Sequence, residues 1–349
     1  MPAEQLPPIH ERTALLCAIL FTVLYVAPFY LSKTLRSSPT NSRDSPTVIK
    51  ARVRAVVLTA LTSAVITVYV LTVYGHATPR DVLRLFAMWP VHPFDCVKIL
   101  ALVAVLFTGP LYELLVVDGA WRHVGPFSLK KTIWDSWVGF RNYLFGPWIE
   151  ELVFRSLVVS FYLLAKVSPT RIVLTSPLVF GAAHIHHYFE FVHARTPTGR
   201  AIPPLKILLL GLVPTTFQFT YTSLFGAFAA FVYLRTGNVL CCGLAHMFCN
   251  YMGLPRVWGR VGLFSEWDAH DVTPDVAQDK RDDNVKVGNS LMKDKDSNEQ
   301  KAAQILNAGM KDLGIGWTVV YYVLLVAGAC GFYRLLWPLT QSANALATF

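Results

Sequence analysis

Apolar runs close to twenty residues long recur along this chain, separated by short stretches in which basic residues outnumber acidic ones. Such a length is what an α-helix needs to cross the hydrocarbon core of a bilayer. Residues 13–31, 55–74, 96–117, 147–166, 171–187, 205–234, 238–253 and 316–337 read as spans, which predicts an all-α, polytopic transmembrane bundle of about eight helices. Between the first two runs Lys33, Arg36, Arg43, Lys50, Arg52 and Arg54 face one acid, Asp44, so the positive-inside rule assigns residues 33–54 to the cytosol. Arg122, Lys130 and Lys131 then fall on the same side. Trp134, Trp137 and Phe140 at helical spacing predict a short interfacial helix over 132–143, ending at a Gly146–Pro147 break. The first run follows Glu4, His10, Glu11 and Arg12 without a small-residue cleavage site, and reads as a retained span.

Composition changes this picture in two places. With 54% hydrophobic and 15% charged residues, the 349-residue chain matches neither an ordinary soluble enzyme nor a disordered tail. Topogenic loops account for its formal charge of +9, and no nucleic-acid partner is expected. Residues 265–301, by contrast, hold ten acids and six bases with Trp267 as the single aromatic, which predicts a flexible cytosolic insert. The expected organisation is one integral-membrane domain over 1–349 with a catalytic core at about 145–255. Cys17, Cys96, Cys241, Cys242, Cys249 and Cys330 show no CxxC spacing and read as buried thiols, neither a disulfide frame nor a zinc site.

Candidate chemistry lies where ionisable residues enter apolar helices. The stretch FGPWIEELVFR at 145–155 places Glu150 and Glu151 inside a span, where each unpaired acid costs about 2.5–3.5 kcal/mol at mid-bilayer. Glu151 and Arg155 stand four apart with the acid first, the order that favours an ion pair, and Glu150 points roughly 100° away on the face of Phe154. His184 closes the fifth run near the same cytosolic surface, and His246 and Asn250 share a helical face in the seventh. A carboxylate with an imidazole can take a proton from water, and neutral donors can stabilise the resulting oxyanion, so these residue types suit amide hydrolysis.

Structural readings stand beside this one. An intramembrane Glu–Arg pair can lock helices together, and a histidine in a span commonly bridges helices by hydrogen bonding. His186, His187 and His193 read as interfacial, Cys249 as packing, and Phe217, Phe219, Tyr221, Phe225 and Phe228 as packing aromatics.

The motifs resemble the type II CAAX prenyl endopeptidases, a family of glutamic intramembrane proteases. Two glutamates, two variable residues, Phe and Arg are met by Glu150, Glu151, Phe154 and Arg155; a Phe-three-His element by Phe180 and His184; a His-three-Asn element by His246 and Asn250. Further likeness lies in GAAHIHHYFEF, FQFTYTSLFGAF and HMFCNYMGLP, so the resemblance covers about 145–255. It implies removal of the C-terminal tripeptide of farnesylated or geranylgeranylated CaaX proteins of small-GTPase type, in the endoplasmic reticulum membrane. The active-site cavity would be membrane-embedded and open to the cytosol. It implies water activation by Glu150 and His184, an oxyanion site at His246 and Asn250, support from Glu151, Arg155, Phe154 and Phe180, and no cofactor or metal. Two rivals remain: a metal-dependent membrane hydrolase with Glu150, His184 and His246 as ligands, and a non-enzymatic membrane scaffold.

Overall fold

The computed structural model describes residues 8–36, 42–122, 125–197, 200, 202–262 and 313–349, and the acidic insert expected at 265–301 lies outside them. Every regular element among the described residues is helical. The elements that matter here are α1 (Glu11–Val26), α2 (Pro46–Val73), α3 (Pro93–Leu106), α4 (Gly146–Glu151), α5 (Val158–Leu164), α6 (Pro169–Ala183), α7 (His186–Arg195), α8 (Leu205–Thr236), α9 (Val239–Met252) and α10 (Ile315–Leu339).

Helices α2, α8 and α10 are long and apolar enough to cross a membrane, and a fourth candidate arises if Pro93–Leu106 and Thr108–Val117 make one broken span. Large apolar side chains stand exposed along them, among them Leu58, Leu61 and Val65 on α2 and Leu210, Val213 and Leu224 on α8. Water would not tolerate so broad an apolar belt, whereas lipid favours it. Three such helices, or four with the broken pair, make the chain a multi-pass membrane protein.

Several expected spans are interrupted. Pro28 lacks the N–H that would continue α1, which ends at Val26. The run at 96–117 breaks at Phe107. The run at 147–166 divides into α4, a π-helical turn at Leu152–Leu157 and α5. The expected break at Gly146–Pro147 is absent: a π turn at Phe140–Phe145 feeds directly into α4, and Gly146 has helical angles. Hydropathy registers apolar content and is blind to this change of hydrogen-bond register.

Two compact units appear, one comprising Met1–Val103, Lys130–Tyr251 and Leu335–Phe349, the other Ala104–Leu129 and Met252–Arg334. In the first, α6 packs on α8, and the contact depends on small residues: a Cβ on Gly226 would lie 3.0 Å from Pro177 Cβ and 3.2 Å from Phe180 Cδ1. The π turn after α4 is anchored from outside. The helix Pro79–Leu85 ends with free carbonyls, and the Ser156 hydroxyl donates to that of Phe86 at 2.8 Å while the Tyr233 hydroxyl donates to that of Leu85. In the second unit Arg256 holds Glu113 at 2.8 Å, beside a small core of Val117, Val261 and Tyr321.

Candidate active site

All the residues singled out for chemistry fall in the first unit. The close approach of α4 and α9 begins at Gly243, where any Cβ would overlap the Trp148 ring. One turn further along each helix, Glu151 and His246 meet, with Oε1 2.8 Å from Nδ1. Glu151 is fully buried, and its Oε2 lies 3.0 Å from Arg155 Nε, so the ion pair expected within one helix is present. The same carboxylate therefore serves two cations or donors, an arrangement that the four-residue spacing alone does not reveal.

Arg155 is 2% exposed, and its guanidinium lies 4.4 Å from the centroid of Phe180 and 6.0 Å from that of Phe225. Those faces supply electrostatic attraction in place of solvent. Phe225, read from sequence as packing, also sits 4.5 Å from the His246 ring.

Glu150 is partly exposed and has two neighbours. Its Oε2 lies 3.8 Å from His246 Nε2, and its Oε1 accepts a hydrogen bond from the Tyr25 hydroxyl at 3.3 Å. The donor from α1 was not foreseen; in the run LFTVLYVAPFY nothing separates this phenol from any interfacial tyrosine. The two adjacent acids thus differ as the helical angle suggested: Glu151 is locked inside the protein, and Glu150 is partly exposed.

His184 caps α6, and its Nδ1 lies 3.0 Å from the Phe180 carbonyl. A carbonyl only accepts, so Nδ1 carries the proton and Nε2 is left as the acceptor. Phe180 links the two histidines by edge contacts, with its centroid 4.9 Å from that of His184 and 6.3 Å from that of His246, and Phe154 stands 5.1 Å behind it.

Asn250 is exposed and turned elsewhere: its Nδ2 donates to the Asn142 carbonyl at 3.0 Å. Backbone chemistry explains this contact. The Gly146 N–H is taken by the Arg141 carbonyl, and Pro147 has no N–H, so the Asn142 carbonyl lacks a helical donor and Asn250 supplies one.

Among the described residues, the group gathered to metal-ligating distance is His186, His187 and Glu190, not the Glu150, His184 and His246 set of the metal reading. Its acid is already engaged, 2.8 Å from Arg52 Nη2 and accepting from His187 Nδ1 at 3.2 Å. Burial works to raise the Glu190 pKa, but those hydrogen bonds outweigh it and hold the carboxyl well below its usual range. The cluster is an ion-pair clamp between α2 and α7. All six cysteines are free thiols.

The model of the family described as "Type II CAAX prenyl endopeptidase Rce1-like" matches residues 132–252. The chain is 33% identical to "Probable CAAX prenyl protease 2" of Schizosaccharomyces pombe, over 71% of this chain and 83% of the relative. It is 32% identical to "CAAX prenyl protease 2" of Homo sapiens, over 68% and 71% respectively, and 26% identical to the protein of that name in Saccharomyces cerevisiae, over 70% and 81%. No solved structure matches. With Arg155, His184 and His246 around Phe180, with Glu150 and Glu151 against His246, and with relatives of this kind matching over most of their length, the chain belongs to the type II CAAX prenyl endopeptidase family.

Proposed function

We propose that this chain is an intramembrane endopeptidase that removes the C-terminal tripeptide of prenylated CaaX proteins, with Glu150 as the base that activates water. The observation that carries this reading is the placement of Glu150 Oε2 3.8 Å from His246 Nε2, while Glu151 holds the other ring nitrogen at 2.8 Å.

This reading takes a neutral cluster as its resting state. Glu150 and Glu151 carry two negative charges, Arg155 carries one positive charge, and a protonated His246 makes the cluster neutral. Neutral clusters are what a low-dielectric site tolerates. His246 then presents an Nε2–H donor at the mouth of the site.

In the reaction, Glu150 takes a proton from water as its oxygen bonds to the carbonyl carbon of the prenyl-cysteine. The carbonyl oxygen becomes an oxyanion, stabilised by His246 Nε2–H, with a second donor from Asn250 once its amide swings away from the Asn142 carbonyl. His184 Nε2 accepts from the same water and holds it in line. When the C–N bond breaks, the proton on Glu150 passes to the leaving amine. The products are a prenyl-cysteine carboxylate and a free tripeptide, and no nucleophile on the enzyme is consumed. A positioned base contributes about 10²–10⁴-fold and one oxyanion donor about 10²–10³-fold.

The farnesyl or geranylgeranyl chain partitions into the acyl region, so substrates of small-GTPase type approach from within the bilayer. An endoplasmic reticulum location, about eight spans and a cavity facing the cytosol complete the proposal; the basic residues of 33–54 support that orientation. The experiment is incubation of purified protein with a farnesylated CaaX peptide. Loss of the terminal tripeptide by mass spectrometry supports the reading, and an intact peptide, or cleavage at another bond, rejects it.

A further inference from the structure

The base has two carboxylate oxygens, and they face different elements. Oε2 faces His246 across 3.8 Å, and Oε1 accepts the 3.3 Å hydrogen bond from the Tyr25 hydroxyl on α1. An ionised carboxylate only accepts, so the phenol must donate. Fixing one oxygen sets the rotation of the carboxylate and leaves the other as the proton acceptor.

Tyr25 is itself held. Its ring stands edge-on to Phe29, with centroids 6.3 Å apart, and to Phe154, 5.6 Å apart. Phe154 continues to Phe180, and Phe180 to His184. A row of edge contacts therefore runs from α1 to the histidine proposed to hold the water, and Tyr25 is the member whose polar end reaches the acid. The family model begins at residue 132, so α1 lies outside the stretch it matches.

We propose that Tyr25 is a positioning residue for catalysis, orienting the Glu150 carboxylate so that Oε2 meets water beside His246. The proposal rests on Glu150 being the base. It gives α1 a part in the chemistry, although none of the sequence motifs lies there.

The test compares wild type, Tyr25→Phe, Tyr25→Leu and Glu150→Gln in one reconstituted preparation, by steady-state cleavage of a farnesylated CaaX peptide and by thermal melting. Tyr25→Phe keeps the ring contacts and removes only the donor. It is expected to lower kcat about tenfold, the factor that one hydrogen bond of this class carries, with KM within about twofold of wild type and a melting temperature lowered by no more than about 4 °C. Tyr25→Leu, which also breaks the aromatic row, is expected to lower kcat further and to melt earlier. A Tyr25→Phe enzyme with wild-type kcat, or one that changes KM alone, overturns the proposal while an inert Glu150→Gln leaves the base assignment standing. A folded Glu150→Gln variant that still turns over overturns both. Melting of Tyr25→Phe, Glu150→Ala and their combination tests the contact itself independently of turnover, because alanine, unlike glutamine, removes the acceptor: additive shifts deny the coupling, and non-additive shifts support it.

Discussion

Replacing Glu151 by Gln separates the roles of the two adjacent acids. Glu151 is fully buried and faces Arg155 Nε at 3.0 Å and His246 Nδ1 at 2.8 Å. Glutamine keeps the shape but offers one acceptor oxygen where the carboxylate offered two, so its amide group must turn an N–H towards one of the two donors. Arg155, 2% exposed, is left with a buried charge and no counter-ion. Breaking a buried pair from one side costs about 3–5 kcal/mol, a fall in melting temperature on the order of 10 °C for a unit of this size. Glu150→Gln should behave differently. Glu150 is partly exposed, its 3.3 Å hydrogen bond is long, and a glutamine oxygen still accepts from Tyr25, so the expected cost is about 1 kcal/mol or less. Thermal melting and turnover measured on both variants decide the matter. Glu151→Gln should melt well below Glu150→Gln, and Glu150→Gln should be folded and inert. Removing Arg155 as well, in Glu151→Gln with Arg155→Met, should recover part of the lost stability because no unpaired charge remains. The reverse order of melting temperatures, or no recovery in the double variant, would refute the division of labour.

Two further outcomes are expected. Gly243→Ala forces the Trp148 ring away from α9 and with it the Glu151–His246 contact, so turnover should fall at least tenfold with a loss of about 1–3 kcal/mol in stability; wild-type kinetics in this variant would deny that the close approach builds the site. The Arg52–Glu190 pair should stabilise the first unit by about 2 kcal/mol at neutral pH. Because the Glu190 carboxyl titrates below its unfolded value of about 4.3, that stability is fully present above it and is lost as pH falls through the folded value. A Glu190→Gln variant whose deficit persisted unchanged at strongly acidic pH would contradict this assignment.

The sequence made the local pairings legible and left the distant ones hidden. Glu151 and Arg155 could be paired because an i,i+4 spacing fixes their separation, and the same helical angle showed that Glu150 must look elsewhere. His246 was identifiable as a polar intruder in an apolar helix. Its partner was not, because that contact depends on Gly243 admitting Trp148, and no spacing within α9 records what packs against it. Asn250 illustrates the same gap: its amide goes to the Asn142 carbonyl, a group left without a donor by Pro147 and by the π turn before it. Helix type was similarly illegible. Hydropathy marked the apolar runs, yet the interruptions at Ala27, Phe107 and Leu152–Leu157 arise from proline and from hydrogen-bond register, to which an apolar average is insensitive. Tyr25 was missed since one aromatic in an apolar run carries no mark of the acid it meets.

The central claim, that Glu150 activates water against the prenyl-cysteine amide, is tested most directly by mass spectrometry of a farnesylated CaaX peptide after exposure to wild type and to Glu150→Gln at matched folded concentration. The account predicts release of the intact terminal tripeptide by wild type and at least a hundredfold slower release by the variant. Comparable release by a folded Glu150→Gln protein would contradict it.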